Sequence, residues 1–174
     1  SLDRLKVGLP AISPAFGAFL AEAAAVCLHH SQHPATVRWE ILGDHPAETQ
    51  LLWTGELSEQ VLNSWRDLQE ATEYGATGMA LLLVLAMTDM TVVKRSVKGT
   101  GFDYWLGKKE TDEEDNFQEC VRLEISGILS GDNSTIKKRV LDKLRQTQRS
   151  DHLGLPALVI VTEFRTLLSH FEVK

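Results

Sequence analysis

The first half of the chain carries two kinds of apolar pattern, one helical and one strand-like. Apolar residues recur every three or four positions from about residue 14 to residue 30, and Ser13 followed by Pro14 is typical of a helix start. Apolar and polar residues then alternate over 37–41 and again over 50–54, with a turn-rich Gly-Asp-His-Pro sequence between them. The pattern predicts an amphipathic helix followed by a β-hairpin.

Two further helices are predicted before the middle of the chain. Ser58 can cap a helix with one apolar side, which consists of Leu57, Val61, Leu62, Trp65 and Leu68. A second helical stretch begins at about Thr72, where Gly75 and Gly78 mark either a break or a close contact with another helix. Its apolar run, residues 79–87, is about half the length needed to cross a bilayer. The run therefore predicts a buried helix and no membrane span.

Strand and helix patterns follow one another in the second half. The predicted elements are strands at 91–97, 102–107 and 120–127, a helix at about 134–149, a strand at 157–163 and a short helical tail with Leu167, Leu168 and Phe171. The continuous apolar run 157–161 is typical of a central strand covered on both faces. A strand that returns through a helix to another strand implies a right-handed crossover and a parallel pair.

These elements predict an α/β (α+β) fold with a mixed central β-sheet flanked by helices. Residues 1–174 are expected to form a single domain, with an N-terminal helix and hairpin (1–56) added to a core (57–174). A hydrophobic fraction of 43% in 174 residues suits a water-soluble protein, for which the cytoplasm is the expected location. Cys27 and Cys120 lack the spacing of a zinc site or disulfide framework, so both are expected in the core.

Charge is unevenly distributed along the chain. The net charge of −6 disfavours broad electrostatic binding to nucleic acid. Acidic residues crowd the segment 110–119, whereas basic residues crowd the predicted helix after residue 134. The basic residues are Lys137, Lys138, Arg139, Lys143, Arg145 and Arg149. They form either a solvated helix face or a surface that contacts phosphate.

Two acidic residues are the main candidates for chemistry. Asp103 follows a strand pattern and a Gly-Thr-Gly turn, and Glu124 lies inside the alternating strand 120–127. If these two strands pair, both carboxylates can project from the same end of the sheet. The alternative interpretations are that Asp103 only forms a turn, and that Glu124 faces solvent with Arg122 and Ser126.

The order of helix, strand, Asp-bearing strand, Glu-bearing strand, helix and strand resembles the core of the PD-(D/E)XK nuclease superfamily. The resemblance covers roughly residues 69–163 and is strongest to small Holliday junction resolvase-like proteins. In these proteins a glutamate on a helix precedes an Arg-Ser strand, a glycine-containing turn and the first metal-binding aspartate. Glu73, Arg95-Ser96, the 99–101 turn and Asp103 occupy those places here. Glu73 is also explained as a first-turn helix acid.

The resemblance implies a Mg²⁺- or Mn²⁺-dependent phosphodiesterase that acts on DNA as a homodimer. Asp103, Glu124 and the carbonyl of Ile125 would be the metal ligands, which suits the oxygen preference of these cations. The chain departs from the family pattern at Ser126, where such nucleases have a lysine that helps to activate the attacking water. Either another cation replaces that lysine, with Lys98, Lys137 and Lys138 as candidates, or the site is inactive.

Three functional hypotheses follow. The first is a DNA phosphodiesterase with Asp103 and Glu124 as metal ligands, Glu73 as an outer helper and DNA contacts through Lys137, Lys138, Arg139 and Lys143. The second is a catalytically inactive protein of the same fold, which uses the acidic segment 110–119 and the basic helix for interaction or regulation. The third is binding through the N-terminal helix and hairpin, with the core as a support.

Overall fold

Seven strands form one mixed sheet in the computed structural model, which describes residues 1–109 and 120–174. The strands are β1 (Thr36–Gly43), β2 (Ala47–Leu52), β3 (Met90–Arg95), β4 (Tyr104–Lys108), β5 (Val121–Ile128), β6 (Ala157–Glu163) and β7 (Leu168–Val173). Their order across the sheet is β2-β1-β7-β6-β5-β4-β3. The acidic segment 110–119, one of the predicted interaction surfaces, lies outside the described residues.

Both parallel and antiparallel pairs occur, as predicted. Strands β3, β4 and β5 are antiparallel neighbours, and β5 is parallel to β6. On the other side of β6, β7 is antiparallel to it and parallel to β1, which forms the predicted hairpin with β2. The hairpin thus continues the same sheet. Every residue of β6 is buried, which confirms it as a central strand.

Helices cover both faces of the sheet, which confirms the predicted fold class. They are α1 (Asp3–Lys6), α2 (Pro14–His30), α3 (Glu59–Ser64), α4 (Leu68–Met87) and α5 (Asn133–Thr147), with a 3-10 helix at Gln148–Leu153 after α5. Helices α2 and α4 share the larger hydrophobic core with one face of the sheet, whereas apolar residues of α5 form a second core on the other face. Gly75 and Gly78 allow α4 to approach α2 closely, because a Cβ at either position would lie about 3.0 Å from an atom of another helix.

The helix predicted after Ser58 is shorter than expected. Ser58 does cap α3, but α3 ends at Ser64. The Asp67 carboxylate accepts hydrogen bonds from the backbone amides of Gln69 and Glu70, and α4 therefore begins at Leu68 and not at about Thr72. The predicted run 79–87 forms the end of α4, where residues 79–85 are buried. Among the described residues no helix is both long and apolar enough to span a membrane.

The predicted helical tail is wrong, because residues 168–173 form strand β7. The Glu163 carboxylate accepts hydrogen bonds from the backbone amides of Arg165 and Thr166, and Leu167 has a φ of 54° that reverses the chain. The returning segment pairs with β6 on one side and β1 on the other. Since an inner strand is covered on both faces, its apolar residues do not alternate strictly and can imitate helical spacing.

Candidate functional site

A groove of about 940 Å³ opens between α4 and α5 at the end of the sheet where β5 extends past the start of β4. Its lining includes Asp103, Ile125 and Ser126 from the sheet. Arg139 and Lys143 lie on the α5 wall, and the first half of α4 forms the opposite wall. The structure thus brings most of the sequence-predicted site residues to one place.

A tight turn places Asp103 at the head of β4. The Ser96 amide donates to the Asp103 carbonyl at 2.7 Å, and the Asp103 amide donates to the Leu123 carbonyl of β5 at 2.8 Å. Gly101 adopts a φ of +85° in this turn, and a Cβ there would lie 2.5 Å from the Gln146 carbonyl oxygen of α5. Only glycine therefore lets the turn pack so closely on α5.

The Asp103 carboxylate crosses from β4 to β5. Its Oδ2 accepts a hydrogen bond from the Ile125 amide at 2.8 Å. The N–H and C=O of one strand residue point to the same side, and the pairing of β4 with β5 ends at Tyr104 and Leu123. The Ile125 carbonyl is therefore directed to the same edge of the sheet as the Asp103 side chain.

The Glu124 side chain is fully buried, and only one of its two carboxylate oxygens has hydrogen-bond donors among the described residues. Its Oε1 accepts hydrogen bonds from Lys143 Nζ at 2.6 Å and from Gln146 Nε2 at 2.8 Å. Its Oε2 is buried and has no hydrogen-bond donor among residues 1–109 and 120–174. A buried carboxylate oxygen without a donor or cation is costly, so this atom marks a place for one.

The Asp103 and Glu124 carboxyl groups are close enough for each to affect the pKa of the other. Burial, reinforced by the negative charge of Asp103, raises the pKa of Glu124 to about 7, although Lys143 opposes the rise. Burial also raises the pKa of Asp103, against the hydrogen bond from the Ile125 amide. Two ionised carboxylates that interact in this way repel each other, and a proton or a cation shared between them would relieve the repulsion.

Strand β5 directs Arg122, Glu124 and Ser126 toward the α5 face of the sheet and not toward solvent. Their exposed fractions are 3%, 0% and 9%, so the solvent-facing interpretation of this strand is wrong. The physical reason is that α5 and the 3-10 helix cover this face and supply polar partners. Arg122, for example, donates to Asp151 Oδ1 at 3.2 Å and to the Leu155 carbonyl at 2.6 Å.

Two basic side chains of α5 line the groove. Lys143 contacts Glu124, and Arg139 NH1 donates to Ser126 Oγ at 2.8 Å. Lys98, Lys137 and Lys138 are exposed and lie outside the groove lining. The sequence did contain a signal for Arg139 and Lys143, because residues four positions apart on a helix share one face.

The remaining polar residues lie at the rim of the groove. Glu73 is exposed on the α4 wall and accepts a hydrogen bond from Gln69. The Arg95 guanidinium lies 5.6 Å from the Phe16 ring centre and opposes the pKa rise of Asp103. Trp105 is half-buried beside Phe102, and Tyr104 is buried.

Two interacting carboxyl groups and the Ile125 carbonyl thus lie at one edge of the sheet, where Lys143 contacts Glu124 and Arg139 contacts Ser126. Within the described part of the chain, no three His, Cys, Asp or Glu side chains are grouped as a metal site. The unpaired Glu124 Oε2 nevertheless fits a hard divalent cation that keeps most of its water shell. No protein-family model, curated protein or solved structure gives a significant match to this chain.

Proposed function

We propose that this protein is a metal-dependent phosphodiesterase that acts on DNA, with its active site at the Asp103–Glu124 pair. The observation that carries the proposal is the buried Glu124 Oε2, which has no donor in the described residues and lies beside a second carboxyl group. Mg²⁺ or Mn²⁺ held by Asp103, Glu124 and the Ile125 carbonyl would polarise a scissile phosphate and lower the pKa of an attacking water.

The protein groups around the pair have distinct roles in this proposal. Lys143 and Gln146 hold Glu124 Oε1, which leaves Oε2 without a hydrogen-bond donor among the described residues. The Ile125 amide orients the Asp103 carboxylate in the same way. Lys143, at 2.6 Å from Glu124, supplies the positive charge that Ser126 cannot supply. Glu73, at the rim, would act only through water.

The order of the elements supports the proposal. Helix α4, strands β3, β4 and β5, helix α5 and strand β6 follow one another along the chain in the element order on which the PD-(D/E)XK resemblance rests. The exposed Lys137 and Lys138 lie on α5, as do the groove residues Arg139 and Lys143, so one helix could contact successive phosphates. A homodimer belongs to the same proposal by resemblance.

A metal-linked stability measurement tests this function. Mg²⁺ or Mn²⁺ should raise the melting temperature of the wild-type protein, because a ligand that binds only the folded state stabilises it. Asp103→Asn should abolish both this rise and cleavage of labelled single-stranded, branched and duplex DNA. Glu59→Gln, which removes an exposed acid outside the groove lining, should retain both. If neither Mg²⁺ nor Mn²⁺ changed the melting temperature of the wild-type protein, the proposal would be refuted.

Ser126 favours a second candidate function, because the residue expected to activate water is missing from its usual position. In that case the chain is a catalytically inactive interaction or regulatory module of the same fold. Binding of DNA without cleavage, in the presence of either metal, would support this alternative.

A further inference from the structure

Arg139 reaches from α5 to the end of β5 and is held there by one of its three nitrogens. Its NH1 group donates to Ser126 Oγ at 2.8 Å and to the Gly127 carbonyl at 3.3 Å. The side chain is half-buried and lines the groove beside Asp103 and Lys143. A long side chain is thus fixed at the site before any ligand arrives.

The other edge of this guanidinium is unused. In the part of the chain that the structure describes, Nε and NH2 of Arg139 have no hydrogen-bond partner. These two nitrogens form the side edge of the fork, whose parallel N–H groups match two oxygens of a phosphate or carboxylate. Lys143, by comparison, already donates to Glu124 and Gln146.

Both anchors of Arg139 belong to a rigid piece of strand. Ser126 is buried on the α5 face of β5. Gly127 presses against α4 so closely that a Cβ there would lie 2.4 Å from the Thr72 carbonyl oxygen. Because these anchors cannot move easily, little rotamer freedom of Arg139 remains to be lost when a ligand binds.

We propose that the Nε–NH2 edge of Arg139 binds a phosphate group in the groove, and that Ser126 is a positioning residue for this arginine. The ligand class is a nucleotide phosphate, which would lie between Arg139 and the Asp103–Glu124 pair. This inference rests on the proposed function for its substrate, but phosphate binding itself does not require hydrolysis. Ser126 therefore has a role of its own in the site and is not only a position where the nuclease pattern lacks its lysine.

The direct test is nuclear magnetic resonance of the arginine Nε–H groups during titration with thymidine 5′-monophosphate in EDTA. One Nε–H signal, absent from the Arg139→Lys spectrum, should shift and saturate. Arg139→Ala should weaken binding by about ten- to a hundredfold, which is the usual effect of losing a charge-assisted hydrogen-bonded pair. Arg139→Lys keeps the charge without the fork and should weaken binding less.

Variants of Ser126 test its positioning role. Ser126→Ala should weaken binding and reduce the shift of the Arg139 signal, whereas Ser126→Thr keeps the hydroxyl and should restore both. Arg38→Ala is the matched control, because it removes an exposed arginine on β1, outside the groove lining. Its affinity should stay within about twofold of wild type, as for a distant surface charge. Circular dichroism establishes that each variant is folded.

The outcomes separate this inference from the proposed function. Wild-type affinity in Arg139→Ala, or no saturable shift in the wild-type protein, overturns the role of Arg139, even if DNA is cleaved. Phosphate binding that depends on Arg139 without any metal-dependent cleavage supports the inference and rejects the phosphodiesterase. If cleavage occurs, Arg139→Lys should raise KM more than it lowers kcat.

Discussion

Replacing Glu124 by glutamine should stabilise the metal-free protein at neutral pH, and it would remove one of the proposed metal ligands. The glutamine can still accept hydrogen bonds from Lys143 and Gln146, and its new amide can donate to Asp103. Glu124 itself has a pKa raised from the ordinary value of 4.5 to about 7. Each tenfold change in proton affinity corresponds to about 1.4 kcal/mol, so ionised Glu124 costs the folded state about 3 kcal/mol.

The sign of this effect gives a specific pH window. Below pH 4.5 Glu124 is protonated in both the folded and the unfolded state, so it causes no loss. Between pH 4.5 and about 7 the unfolded chain loses this proton first, and the wild-type protein loses stability as the pH rises. Above about pH 7 the loss is complete. Glu124→Gln should not show this loss. Because Glu124 and Asp103 interact, the pH dependence of wild-type stability reflects both carboxyl groups together.

The assay is urea unfolding in EDTA at a series of pH values, followed through the fluorescence of the buried tryptophans Trp39, Trp53 and Trp65. The free energy of unfolding of Glu124→Gln minus that of wild type should grow by about 3 kcal/mol across the window. Glu73→Gln, at an exposed position in the same groove, is the control and should show no such growth. If the difference in free energy of unfolding did not change with pH, burial would not be destabilising the ionised form of Glu124, and the argument would be refuted.

Three further substitutions test other parts of the structure. Gly127→Ala should lower the free energy of unfolding by about 1–3 kcal/mol in urea titrations, because the alanine Cβ would lie 2.4 Å from the Thr72 carbonyl oxygen. If the variant were as stable as wild type, α4 would have to move away from β5 at little cost. Asp132→Ala removes the cap of α5 and should cost about 1 kcal/mol in thermal unfolding without abolishing metal-linked stabilisation. Lys143→Met should raise the pKa of Glu124 further, because Lys143 lowers it. Stabilisation by Mn²⁺ should then weaken at pH 7 and recover at higher pH, and an unchanged Mn²⁺ response at pH 7 would count against the contact.

Several helix starts, the hairpin and the parallel β5–β6 pair were predictable, because they depend on neighbours along the chain. Ser13 caps α2 through its bond to the Phe16 amide, as its position before Pro14 predicted. The apolar run 157–161 predicted the central strand β6, and the parallel β5–β6 pair followed from the helix between them. Strand β7 was missed because its partners, β1 and β6, decide its conformation, and local spacing alone resembled a helix.

The sequence by itself determined that Arg122, Glu124 and Ser126 share one face of β5, since side chains alternate along a strand. Only the tertiary structure decided that α5 covers this face. Lys143 and Gln146, which contact Glu124 there, lie 19 and 22 positions after it along the chain. Those contacts bury Glu124 beside Asp103 and bring Arg139 to Ser126. Burial and charge pairing arise from distant segments that meet in space, and periodicity along the chain contains no information about which segments will meet.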